Sequence, residues 1–221
     1  MNTDTQTSTG ASSGKRGLVI TLLIFLVPFA SAAFLHVTGL YKEMGTSNRG
    51  VLIIPPVPVA ELGLKDPSTQ ASVNLEGKWH ILYPLPDHCA DACRNTLMVI
   101  HQIRTALGPE ADRVGLVAVL PEGELPGDVT IAADIQRLSG TDVPRQIAAR
   151  AQSTLSPEGK PAQASVSEPG NAGSADRIYL IDTMGMIFMY HDTHADERTA
   201  VLKGKDLLRD LQHALKLSKI G

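Results

Sequence analysis

Cys89 and Cys93 are the only two cysteines in the 221 residues, and they lie four apart in the run HCADAC. On a helix that spacing puts both side chains on one face, with Cα atoms about 6 Å apart, within the range a disulfide allows. A helix N-terminus carries unpaired N–H groups and partial positive charge, which favour thiolate over thiol. Thiolate is the attacking form in disulfide exchange and the ligand form for Cu(I). The pair therefore suits redox exchange and copper binding alike, with a structural disulfide in an oxidising compartment as the alternative. Cys89 lies nearer the predicted helix start, which makes it the attacking sulfur and Cys93 the resolving one. A zinc site would need matched pairs of Cys or His ligands, and the sequence offers no second CxxC.

Other groups could complete a metal site. His191 and His194 (HDTH) end a predicted strand, and neutral imidazole is a copper ligand. Met184, Met186 and Met189 carry thioethers suited to Cu(I), although alternating methionines in a strand more often pack a core. His88 adjoins Cys89 and could raise its thiolate content, or simply be exposed. His80 and His101 read as partly buried or surface residues. Asp91 between the cysteines favours a helix start.

The elements that must position these residues follow from pattern. Residues 1–16 are polar and read as a disordered cytoplasmic tail ending in Lys15 and Arg16. Residues 17–40 form an apolar run long enough to cross a bilayer. The basic pair before it places the N-terminus in the cytoplasm and the rest outside, in the periplasm of a bacterium with a single-pass inner-membrane anchor. Ala30-Ser31-Ala32 offers the competing reading of a signal-peptide cleavage site. Residues 41–67, rich in Val, Ile and Pro, read as an extended tether to a domain over 68–217.

Within that domain the patterns predict a strand at 79–83 (WHILY), a helix at 89–107 and a doubly buried strand at 114–120 (VGLVAVL). A weaker helix at 144–152, a loop at 153–176, a hairpin over 178–182 and 186–190 and a helix at 206–217 follow. This order implies an α/β domain with a central sheet flanked by helices. Net charge is −3 with both signs interspersed, which excludes the basic footprint of a nucleic-acid binder. Aromatics make up 4%, too few for a stacking surface that binds carbohydrate or bases.

Gly77-Lys78-Trp79, a strand, His88-Cys89-Ala90-Asp91-Ala92-Cys93 and Thr96-Leu97 closely resemble the SCO/SenC family of cytochrome c oxidase assembly proteins, which reads GKW, strand, HCPDVCPTTL. Tyr179-Leu180-Ile181-Asp182 with Gly185 is similar to that family's YLID-P-x-G hairpin. The resemblance implies a thioredoxin-like fold, copper held by two Cys and one His, and a client among cytochrome c oxidase subunits or their assembly factors. It also departs from the family. The ligand His should lie five residues before the Tyr of YLID, where this chain has Ser174, and no histidine occurs between His101 and His191. Ala90 and Arg94 replace the two prolines of the cysteine motif. A general thiol-disulfide oxidoreductase, and a non-catalytic oxidase partner with an inert disulfide, are the alternatives.

Overall fold

The computed structural model describes residues 13–38, 48–121, 124–126, 129–153 and 177–218. The chain divides into two units, Met1–Ser47 and Asn48–Gly221. In the first, α1 (Ser13–Thr38) begins four residues earlier than the apolar run, and it contains Pro28. Its segment Arg16–Phe34 has a mean hydropathy of 2.4 and is long and apolar enough to cross a membrane. Residues 1–12, 39 and 40 lie outside the described residues.

The second unit is a six-stranded mixed sheet in the order β1-β6-β5-β2-β3-β4. The strands are β1 (Val51–Pro58), β2 (Trp79–Pro84), β3 (Val114–Leu120), β4 (Ile135–Ser139), β5 (Arg177–Ile181) and β6 (Met186–Asp192). β2 pairs in parallel with β3, and β3 with β4, while β5 runs antiparallel to both β2 and β6. Three helices cover the sheet: α2 (Asp91–Ala106), α3 (Val143–Ser153) and α4 (Glu197–Leu217).

Alternation along β2 and β3 sorts their side chains between two cores. Ile81, Tyr83, Leu116 and Ala118 join Leu97, Ile100, Ile103, Leu207 and Leu211 beneath α2 and α4. Leu82, Val117 and Val119 join Val143 and Ile147 of α3 on the opposite face. This is why both strands read as uninterrupted apolar runs.

Three elements differ from the sequence expectations. The stretch read as a tether becomes, from Val51, an edge strand antiparallel to β6, with Ile53 and Val57 buried. Pro55, Pro56 and Pro58 hid it, because proline withholds a ladder N–H and signals loop unless the strand lies at an edge. β4 was not expected: it is five residues long and buries only Ile135 and Leu138. α4 starts nine residues before the predicted 206 because Asp196 caps it, its carboxylate accepting from Thr199 N at 2.8 Å and Thr199 Oγ1 at 2.7 Å. The β5–β6 hairpin has the expected turn, with Gly185 at φ 74° and the Asp182 carboxylate accepting from Met184 N and Met186 N, both at 2.9 Å.

α2 and α4 approach closely at Gly204, where an added Cβ would stand 2.6 Å from Val99 Cγ1. Val99 is β-branched and cannot swing aside cheaply. Gly204→Ala should cost about 1–3 kcal/mol by overpacking. Denaturant unfolding checks this, and Val99→Ala in the same chain should recover most of the loss.

Candidate functional site

β2 delivers the chain to the site. Leu85 N donates to Val119 O at 2.8 Å, prolonging the β2–β3 ladder past Pro84, and the backbone then bends through Asp87 and His88 before α2 begins. Ala90 is the N-cap and offers no side-chain acceptor. Donors in the first turn of α2 therefore lack the oxygen that Ser, Thr or Asp would supply.

Cys89 and Cys93 straddle this junction and form a disulfide with Cα atoms 5.1 Å apart. The two sulfurs differ in surroundings. Cys93 is 1% exposed and packs in the core beneath α2, while Cys89 is half-buried at its edge. After reduction Cys89, beside the uncapped helix end, is the sulfur that a client disulfide can reach. Thr96 Oγ1 donates to Ala92 O at 2.7 Å and Asp91 pairs with Arg94 at 3.2 Å, bracing the turn.

The histidines are arranged differently from a three-ligand site. His191 lies within β6 and is 8% exposed. Its Nε2 sits 3.3 Å from Asp210 Oδ2 of α4. The Asp210 carboxylate also accepts from Gly50 N at 2.7 Å and from Arg49 N at 2.9 Å, holding the segment that leads into β1. Gly50 has to be glycine there: a Cβ would come within 2.5 Å of His191 Nε2. His194 lies in the loop after β6, where Asn95 Nδ2 donates to His194 O at 3.3 Å and Ala195 O at 2.8 Å. The structure thus ties the His194 loop to the cysteine helix and engages His191 with Asp210. Both histidines line a cavity of about 20 Å³ between α2, β6 and α4.

Among the described residues no three His, Cys, Asp or Glu side chains group as metal ligands. The donor set therefore does not fit the two-Cys, one-His arrangement that the resemblance implies, and Ser174 lies outside the described residues. The methionines do not converge: Met189 is buried, Met186 half-buried and Met184 71% exposed at the hairpin tip. His88 is exposed, and His101 Nδ1 meets Asp134 Oδ1 at 3.0 Å. Asn95 and Asp210 escaped the sequence reading. Asn95 leaves no pattern, and Asp210 shows only as a charge on the buried flank of an amphipathic helix.

Comparison with known proteins bears on the fold. A family model described as the transmembrane-like, thioredoxin-like C-terminal domain matches residues 79–159. No curated protein matched the chain in sequence. Similar solved structures are Sco-family proteins. BsSco, a member of the Sco family of cytochrome c oxidase assembly proteins with a disulfide switch, is 13% identical with a TM-score of 0.44, over 79% of this chain and 99% of its own. The apo Sco protein of Thermus thermophilus is 19% identical with a TM-score of 0.47, over 77% and 100%. The copper-bound Sco protein of Arabidopsis thaliana is 17% identical with a TM-score of 0.41, over 72% and 97%.

His80 and His191 provide a pH test. Burial holds both below the ordinary histidine value, against a raising influence from the Lys78 backbone at His80 and from Asp210 at His191. Below about pH 6.5 the unfolded chain then binds more protons than the folded one, so stability falls as pH drops through that value toward the lowered folded pKa. The thermal midpoint should be level above about pH 7 and decline from about pH 6.5 to 5, and His80→Gln should flatten part of that slope.

The Asn48–Gly221 unit accordingly contains a thioredoxin-like domain with its disulfide at the junction of β2 and α2.

Proposed function

We propose that this chain is a membrane-anchored accessory protein for cytochrome c oxidase assembly, working by thiol-disulfide exchange through Cys89 and Cys93. Its domain would sit on the periplasmic side of a bacterial inner membrane, with α1 as the anchor. The observation that carries the reading is the unequal burial of two bonded sulfurs at an uncapped helix start. The cysteine and YLID motifs support the link to oxidase assembly, and the basic pair Lys15 and Arg16 ahead of the apolar run supports the orientation.

The exchange step follows from that inequality. In the reduced protein, the Cys89 thiolate attacks one sulfur of a client disulfide. The client S–S bond breaks, a mixed disulfide forms, and the departing client thiolate takes up a proton. Cys93, deprotonated as it attacks, then displaces the second client sulfur from Cys89. Two electrons pass to the client and the Cys89–Cys93 disulfide is left. An external dithiol must return the protein to its reduced form.

Copper handling is the second reading, with the ion as cargo. Reduction supplies two thiolates, and softness alone would let them take Cu(I).

Two measurements decide between these readings. Equilibration with glutathione or dithiothreitol should give a potential between about −270 and −120 mV, the range of working redox proteins. A potential below about −300 mV would identify an inert structural bond. In cells Cys93→Ser should accumulate a mixed disulfide with its client, and Cys89→Ser should not. Titrating the reduced chain with Cu(I) tests the second reading: stoichiometric uptake lost in Cys89→Ser/Cys93→Ser supports it, and uptake no better than that variant excludes it.

A further inference from the structure

A second feature of α2 lies outside the exchange chemistry. Arg94, Leu97, Met98 and His101 recur at the spacing of one helical stripe and form one wall of a groove of about 380 Å³. Val129 and Ala132, from the segment between β3 and β4, form the other wall. Leu97 is the buried floor, and Met98, Val129 and Ala132 are half-buried, apolar and packed against the same core as Cys89. The charged groups at the rim are offset: Arg94 pairs with Asp91, while His101 and Arg104 both face Asp134. The groove therefore offers apolar contact without a net charge to select for.

Its position relative to the sulfurs defines what could occupy it. The Cys89 sulfur is bonded to that of Cys93, and a rise of about 1.5 Å per residue puts Met98 about 7.5 Å and His101 about 12 Å along the axis from Cys93. An extended peptide advances about 3.3 Å per residue. A client segment that starts at the sulfurs and runs along α2 would lay the residues two to four positions from its own cysteine over this groove.

We propose that the groove is the client-binding subsite of the dithiol, and that it accepts an apolar side chain two to four residues from the cysteine in an extended client segment. Met98 and Val129 are its specificity-determining residues, and neither takes part in the exchange itself. This inference rests on the exchange reading of Cys89 and Cys93.

The test uses the reduced full chain in detergent and two peptides identical except at one site. Each carries a cysteine bonded to thionitrobenzoate, with Leu or Gln three residues from it. Release of thionitrobenzoate is followed by absorbance, and Ellman's reagent serves as a disulfide with no peptide. The Leu peptide should react about ten-fold faster than the Gln peptide, as expected for one apolar side chain in a hydrophobic pocket. Met98→Gln, Val129→Thr and the double variant should bring the two rates progressively together and leave the rate with Ellman's reagent unchanged. Equal rates for the two peptides in the unaltered chain, or a preference that survives the double variant, would overturn the subsite. Failure to react with Ellman's reagent would instead overturn thiol exchange, and the subsite with it.

Discussion

Burial of β2 and β3 on both faces is the constraint from which the rest of the domain follows. A strand with apolar side chains on both faces is stable only when each face is covered. Here α2 and α4 cover one side and α3 the other. A parallel β2–β3 pair also needs a crossover, and α2 is that crossover. The first turn of α2 must therefore stand just beyond the end of β2, and this is where the two cysteines lie. Their bond closes only a five-residue loop, which the chain-entropy estimate values at about 2 kcal/mol. The two apolar cores, rather than this short loop, carry the packing of the domain.

The same packing makes the two sulfurs unequal. Cys93 points down the α2 face that Ile100 and Ile103 also occupy, whereas Cys89 belongs to the approach to the helix and remains partly open. The surroundings support this division. Asn95 fastens the loop after β6 to the second turn of α2, and the buried Asp210 holds His191 and the backbone of Arg49 and Gly50 together. An imidazole so engaged helps to position the segment that leads into β1.

Much of this was legible in the sequence where a local pattern and a long-range requirement coincide. The run VGLVAVL is unbroken because β3 is buried twice, and its predicted limits are those observed. Leu97, Ile100 and Ile103 mark the inner face of α2 and Leu107 is its C-cap, and all four are buried. What stayed hidden depends on partners distant in sequence. β1 is a strand because β6 offers it an edge, although its prolines suggest otherwise. The polar first turns of α4 have no apolar period, since there only its inner face meets α2. The groove beside α2 joins residues about thirty positions apart, and neither wall alone carries a signal. The disulfide was readable as a spacing of four, but the different exposure of its halves required the helix to be placed.

The prolines of β1 have a consequence for crowding. A sheet ends in rows of unsatisfied N–H and C=O groups, and such an edge invites a strand from another molecule. Pro55, Pro56 and Pro58 leave this edge strand without three backbone donors, and the register with β6 shifts between Leu52 and Val57. The opposite border, β4, is short and turns Gln136 and Arg137 outward. Neither margin offers a neighbour a long unbroken ladder. Edges interrupted in this way disfavour the addition of a strand from a second copy of the domain.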